Sequence, residues 1–396
     1  MALRENLDAG PGDLVAVHLR PGPIWLALVR SLWDSGAAIL PLDHRLSEAE
    51  VRAILRRAEP SMIVDGSGAT VRTESRRLDP EVGLVMGTSG SGGAPKLVEL
   101  GRAALETALR ASNELAATAP GEPWTLCLSP AHIGGMLVLV RAAFLDTPVT
   151  VHERFDADRL LAESPEGSHV SIVPTMLHRL VATTRDLARF GVLLVGGGRL
   201  DRRLGSGAAA LHARVVSTYG LTETCGGVAY DGVLFEGAGA RFGPEGEIQL
   251  AGPTLMRGYV DDPQATAASF TLDGWLRTGD AGERDDDGRL RIHGRLDDVI
   301  RTGAEKVWPQ EVEAAIREHG KVADVAVAGR PDPEWGQRVV AYVVPSTIED
   351  PPTLQELRDF ASERVARFKA PRDLVVVHEI PRTASGKLRR AALPPA

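Results

Sequence analysis

The chain has 396 residues, 43% of them apolar and 25% charged, with a formal net charge of −8 and a pI of about 5.8. Such a length predicts two or three domains, and the composition is that of an ordinary globular protein. The acidic balance, with no basic stretch set against it, argues against nucleic acid as a partner, and no apolar run reaches the ~20 residues of a membrane span. Met1-Ala2-Leu3-Arg4-Glu5-Asn6 contains no apolar signal core, so a cytoplasmic location is expected. Cys127 and Cys225 have neither C-x-x-C spacing nor a His cluster beside them. Neither zinc nor a disulfide framework follows, and both thiols are expected to stay reduced.

In chain order, Leu14 to Leu19 reads as a strand, Ile24 to Trp33 as a helix and Ala38 to Leu42 as a strand. Ser47 and Glu50 have the spacing of a capping box, opening a helix that ends near Glu59. The strand series continues at Ser61 to Val64, Gly83 to Met86, Thr125 to Leu128, Val149 to His152, Val170 to Val173, Val192 to Val195 and Val215 to Thr218. Segments such as Arg102 to Ala117 and Met136 to Leu145 suit crossover helices. The alternation predicts an α/β fold with parallel-rich sheets.

From Gly246 the pattern changes to short strands, Glu247 to Leu250, Trp275 to Arg277 and Arg289 to Gly294. Asp285-Asp286-Asp287-Gly288 reads as a hairpin turn rather than a metal site. A small α+β unit comes next. It has a helix from Pro309 to about His319, strands at Val322 to Ala328 and Val339 to Val344, an amphipathic helix from Leu354 to Phe368 and a strand at Leu374 to His378. The expected organisation is a domain at 1–295, whose β-rich part covers about 233–295, and a second domain at 296–396.

One segment carries chemistry on its own. Thr88-Ser89-Gly90-Ser91-Gly92-Gly93-Ala94-Pro95-Lys96 comes directly after the apolar run Gly83 to Gly87. Its glycines let backbone N–H groups turn inward, and its hydroxyls and lysine add donors. That is a cradle for a phosphate chain, though not the usual G-x-x-x-x-G-K-[ST] loop.

Further segments come in fixed order: Ser217-Thr218-Tyr219-Gly220-Leu221-Thr222-Glu223-Thr224, Gly246-Glu247-Ile248 with Gly258-Tyr259, Gly274-Trp275-Leu276-Arg277-Thr278-Gly279-Asp280, Gly294-Arg295-Leu296-Asp297-Asp298 and Pro381-Arg382-Thr383-Ala384-Ser385-Gly386-Lys387. With the first loop they resemble the adenylate-forming superfamily of acyl-CoA synthetases, adenylation domains and luciferases. The resemblance implies activation of a carboxylic acid by ATP and Mg2+, with CoA as acceptor of the acyl group. Two anions must then be brought together and screened, a mainly electrostatic task.

The resemblance assigns Thr88, Ser89, Gly90, Ser91, Gly92, Gly93 and Lys96 to the β- and γ-phosphates of ATP. Tyr219 would lie against the adenine, above a floor formed by Gly196, Gly197 and Gly198. Thr222 would bind the α-phosphate and Glu223 would hold Mg2+, a hard cation that prefers oxygen. Asp280 would accept both ribose hydroxyls, with Arg295 assisting. Lys387 would bridge the acid's carboxylate and the ribose as the catalytic lysine. Asp297 would be the hinge on which the C-terminal domain turns between half-reactions.

The stretch Leu128 to Arg141, with Val173-Pro174-Thr175-Met176-Leu177 and Tyr219 to Gly227, is most similar to the o-succinylbenzoate–CoA ligase family of menaquinone synthesis. That resemblance implies that His132 gates the acid pocket, that Gly220 lines it, and that Arg141 faces the second carboxylate of the acid. Two positions depart from the pattern. Gly92 stands where a Thr is usual, and Ala304 where a glycine usually lines the thiol channel. Two alternatives therefore stay open: a CoA ligase for another aryl or acyl acid, or an adenylating enzyme serving an amine or carrier thiol. A homodimer is compatible with the sequence.

Overall fold

The computed structural model describes residues 7–88, 96–382 and 388–396. The chain divides into two compact units, one of Met1–Ala240 with Leu250–Arg277, the other of Arg241–Gln249 with Thr278–Ala396.

The first unit holds two seven-stranded sheets. In one, the order is Gly258–Tyr259, Lys96–Gly101, Val82–Thr88, Ala38–Pro41, Leu14–Val17, Met62–Asp65, Gly68–Val71. Its four inner strands run parallel, and its margins are antiparallel. Leu14–Val17 and Ala38–Pro41 are buried along their whole length. A parallel strand covered on both faces must be apolar throughout, which is why these runs show no alternation. The second sheet has the order Val233–Leu234, Gly226–Tyr230, Val215–Leu221, Leu193–Val195, His169–Ile172, Trp124–Leu126, Val149–Val151. Five of these strands are parallel, and Gly226–Tyr230 and Val233–Leu234 add an antiparallel edge.

Helices arise from local chemistry. Ile24–Ser35 buries Trp25, Leu28, Val29 and Leu32 at helical spacing and stops where Gly36 turns left-handed. Glu48–Ala58 starts with the reciprocal Ser47–Glu50 capping box. Several short strands lie outside the predicted series, among them Gly68–Val71, Lys96–Gly101, Gly226–Tyr230 and Gly258–Tyr259. These are antiparallel additions to margins, where neither a long apolar run nor strict alternation is needed.

The second unit contains a four-stranded sheet that includes the antiparallel pair Leu276–Arg284 and Leu290–Arg295. The turn between them is built as expected. The Asp285 carboxylate accepts from the backbone N–H of Asp287 and Arg289, and Gly288 is left-handed. This hairpin groups with the C-terminal part of the chain. The Trp308 ring stacks on His293 with centroids 5.8 Å apart, and Gln310 packs against the backbone of Gly294. A five-stranded sheet completes the unit, in which Val322–Asp332 and Gly336–Pro345 pair antiparallel and Asp373–Val376 joins in parallel. The helices Pro309–Arg317 and Leu354–Ser362 contribute Val312, Ile316, Leu357 and Ala361 to its core. The second helix is shorter than expected. Ala366 turns extended, and Arg367–Lys369 is a separate 3-10 turn.

Near the end of this unit, Arg390 donates to Asp298 at 2.8 Å, to Glu313 at 2.6 Å and to the carbonyl of Val327 at 3.0 Å. Glu313 is only 6% exposed and also accepts from the N–H of Val327. Removing the guanidinium would leave a buried carboxylate without its cation. Arg390→Met should therefore lower stability by roughly 3 kcal/mol, and adding Glu313→Gln should recover part of the loss; chemical denaturation measures both.

Candidate functional site

Six of the expected site residues, Ser89, Gly90, Ser91, Gly92, Gly93 and Lys387, lie outside the described residues. What the structure does show is how the loop containing the first five is closed. Thr88 is the last residue of Val82–Thr88 and Lys96 the first of Lys96–Gly101, and the two are paired across the antiparallel ladder. The Thr88 hydroxyl donates to the carbonyl of Lys96 at 3.4 Å. Both ends of the segment are thus held by sheet hydrogen bonds, at the carboxyl end of a parallel strand, where ligand sites gather in α/β sheets.

The second element is the segment after Val215–Leu221. This strand pairs with Gly226–Tyr230, with a bulge between Tyr219 and Gly220. A Cβ at Gly220 would lie 1.8 Å from the carbonyl oxygen of Gly226, so only glycine lets the two backbones meet. Gly220 is therefore required by the fold, whatever it does for a ligand. Thr222–Thr224 forms a single 3-10 turn, closed by Cys225 in a left-handed conformation. The buried Thr224 hydroxyl lies 2.8 Å from the N–H of Leu221 and 2.7 Å from the carbonyl of Gly226. That anchor presents the half-buried Thr222 and Glu223 just beyond a fixed turn.

These two elements meet through Tyr259. The strand Gly258–Tyr259 pairs with Lys96–Gly101 so that Tyr259 stands opposite Val98. Lys96 lies two residues from Val98, hence on the same face, and is a diagonal neighbour of Tyr259. Its Nζ sits 4.6 Å from the Tyr259 ring centroid. The Tyr259 hydroxyl donates to Glu223 Oε1 at 3.0 Å, and the N–H of Met256 donates to the Glu223 carbonyl at 2.8 Å. Burial, and then the Glu223 carboxylate, push the Tyr259 phenol up to about 12, so it stays a donor at neutral pH. The pair Gly258-Tyr259 stands out in the sequence as a motif, but nothing local gives it a role.

Thr222 and Glu223 offer only hard oxygen donors, the kind Mg2+ prefers. Among the described residues no group of three His, Cys, Asp or Glu side chains could hold a metal by itself. A lone carboxylate suits a metal whose remaining ligands arrive with a nucleotide.

Tyr219 is half-buried and flanks the bulge. Gly196, Gly197 and Gly198 come after the strand Leu193–Val195, Gly197 being left-handed. In the second unit Asp280 is 8% exposed, and Arg295 Nη1 donates to its Oδ1 at 3.2 Å and to the Thr278 carbonyl at 2.7 Å. A left-handed turn at Gly279 makes room for that guanidinium, which passes 2.7 Å from where a Cβ would be. Asp297 belongs to the 3-10 turn Leu296–Asp298. Ala304 is exposed in the hairpin between Ile300–Thr302 and Glu305–Val307, beside Gly303, whose N–H donates to the carbonyl of Trp335.

His132 is exposed and caps the helix Ile133–Phe144, its carbonyl accepting from Gly135 and Met136. Close by, Ser129 donates to Asp43 at 3.2 Å. Burial raises the Asp43 carboxyl, but hydrogen bonds from Arg45 and Ser129 outweigh it and hold the group well below the usual carboxylate range.

Arg141 lies in the core. Expected to meet the second carboxylate of an acid, it is 2% exposed. Its Nε donates to Asn113 Oδ1 at 3.2 Å and its Nη2 to Ser112 at 3.1 Å, while the guanidinium lies 3.9 Å from the Trp124 ring centroid. Burial draws it down to about 10, offset in part by Tyr230, so it remains a cation at neutral pH. Both of these hydrogen bonds are made within the protein's own core. Arg141→Ala should cost about 2–4 kcal/mol through a cavity and orphaned polar partners. Thermal unfolding should report that loss, while the ratio of kcat/KM between a dicarboxylic and a monocarboxylic acid stays unchanged.

The pattern of the AMP-binding enzyme family matches residues 1–85 and 72–242, and that of the AMP-binding enzyme C-terminal domain matches residues 311–387. A Mycobacterium tuberculosis protein named probable 2-succinylbenzoate–CoA ligase is 39% identical, over 80% of this chain and 85% of its own. The indoleacetate–CoA ligase of Aromatoleum aromaticum is 33% identical, over 93% of this chain and 85% of its own. Among solved structures, o-succinylbenzoate CoA synthetase from Bacillus subtilis, in complex with the acyl-adenylate OSB-AMP, is similar with a TM-score of 0.86. It is 26% identical, and the match covers 98% of this chain and 89% of that one. With family patterns matching the greater part of its length, the chain belongs to the AMP-binding enzyme family.

Proposed function

We propose that the protein is an AMP-forming acid–CoA ligase that activates o-succinylbenzoate, as an acyl-adenylate, for menaquinone synthesis. The observation that carries the chemistry is the gathering of Lys96, Tyr259 and Glu223 where the Thr88–Lys96 loop is closed. A cation and a hard carboxylate set beside a phosphate cradle suit a triphosphate and its Mg2+. The relatives named 2-succinylbenzoate–CoA ligase support the choice of acid. In this reading Lys96 and the loop residues hold the β- and γ-phosphates. Thr222 meets the α-phosphate, and Tyr219 with Gly196, Gly197 and Gly198 receives the adenine. Asp280, oriented by Arg295, accepts the ribose hydroxyls, as a carboxylate with two acceptor oxygens suits a diol. His132 and Gly220 border the acid site. Asp297 is the hinge and Lys387 the catalytic lysine. The enzyme works in the cytoplasm, and a homodimer is compatible with this reading.

A second reading is favoured by one observation. The cation expected to select a dicarboxylate, Arg141, is buried and bonded within the core. An aryl monocarboxylate, of the class in the name of the indoleacetate–CoA ligase relative, then becomes the alternative substrate. Mass spectrometry of products from ATP, CoA and a panel of acids decides between the two. The first reading expects o-succinylbenzoyl-CoA and AMP, with indoleacetate a poor substrate. The reverse order would overturn it, and an acyl-adenylate that never becomes a thioester would point to another acceptor.

Lys387→Ala should slow adenylation by ~10² to 10³, because the charge it offsets develops only in that step. Supplied with chemically made acyl-adenylate and CoA, the variant should form thioester at close to the wild-type rate. An equal loss in both assays would remove Lys387 from this role.

A further inference from the structure

Lys96 and Glu223 come from different sheets. Lys96 opens a strand of the first, and Glu223 lies in the turn after a strand of the second. A cation and a carboxylate that both reach one tyrosine would gain by pairing directly, and a direct pair would occupy the groups that a triphosphate and its metal need. Instead of a direct pair, Tyr259 stands between them, its ring face 4.6 Å from the ammonium and its hydroxyl 3.0 Å from the carboxylate.

Tyr259 is itself well fixed. Its strand pairs with that of Lys96, its N–H donates to Thr266 Oγ1 at 2.9 Å, and the N–H of Val260 donates to the Leu97 carbonyl at 2.8 Å. The preceding segment is tied to Glu223 by the hydrogen bond from the Met256 N–H to the Glu223 carbonyl. The aromatic ring thus carries a firm backbone position to two side chains at once. The cation–π contact leaves all three ammonium donors able to meet an anion. The phenol occupies a single carboxylate oxygen, so the other can ligate.

We propose that Tyr259 is a positioning residue that spaces Lys96 and Glu223 for the β,γ-diphosphate and its Mg2+, keeping the two charges apart and aimed. This rests on the adenylation reading above. It predicts that the two arms can be removed separately. Tyr259→Phe keeps the ring beneath Lys96 and drops the hydrogen bond to Glu223. Tyr259→Leu removes both.

The test is equilibrium binding to the full-length protein by calorimetry, with ATP at several Mg2+ concentrations and with AMP, which lacks the β- and γ-phosphates. Unliganded thermal unfolding is measured alongside. Tyr259→Phe should weaken ATP binding about three- to tenfold and raise the Mg2+ needed for half-maximal binding, and Tyr259→Leu should weaken ATP further. AMP affinity should stay within about twofold in both, since its groups do not meet Lys96. A merely structural tyrosine would lower ATP and AMP affinity together, and that result overturns the proposal. So does unchanged ATP and Mg2+ dependence in Tyr259→Phe, which keeps the ring in place and decides the matter even if Tyr259→Leu does not fold. If the wild type binds AMP but not ATP, the adenylation reading fails, and this inference with it. If the wild type binds both and the variants match it, only this inference fails.

Discussion

A loop that is to wrap a triphosphate needs backbone donors that can converge and stems that are fixed. In the proposed reading Gly90, Gly92 and Gly93 answer to the first, and glycine loses more backbone freedom on ordering than any other residue. The stems are one rung of an antiparallel ladder, Thr88 opposite Lys96, at the end of a strand buried for most of its length. Stems held by the sheet remove part of that cost from the ligand, which leaves more of its binding energy for chemistry. Tyr259, Glu223 and the backbone between them are referenced to that rung. The edge strand Gly258–Tyr259 is laid on Lys96–Gly101, and through Tyr259 and Met256 the turn bearing Glu223 is laid on the edge strand.

The second unit obeys the same logic with different parts. Asp280 and Arg295 face each other across the antiparallel pair Leu276–Arg284 and Leu290–Arg295. The Asp280 N–H is held by the Thr278 hydroxyl, which in turn bonds the carbonyl of Ile248. Three strands therefore fix the orientation of one carboxylate. Asp298, next to the expected hinge residue, is tied by Arg390 to the helix that carries Glu313. A rotation centred on Asp297 would begin beside a strong charge network, which suits a hinge that stops at defined positions.

What could be read from the sequence was what is decided locally. The Ser47–Glu50 cap, the buried parallel strands and the Asp285 turn all arise from residues within a few positions of one another. The role of Arg141 was not legible. Its place on an apolar helix is visible, but its partners Ser112, Asn113 and Trp124 come from other elements, and only tertiary packing turns it inward. Tyr259 is a similar case. Its contact with Glu223 spans 36 residues and depends on a two-residue edge strand too short to leave a pattern. Antiparallel strands at the margins were the main loss, because a margin imposes little demand on side-chain polarity.

The central claim is that this framework forms an acyl-adenylate, and acid-dependent exchange of labelled pyrophosphate into ATP, with CoA omitted, tests it most directly. The account predicts that o-succinylbenzoate supports exchange, that Mg2+ is required, and that the rate falls to background without the acid. No exchange with any acid, by a protein that binds both ATP and the acid, would contradict it.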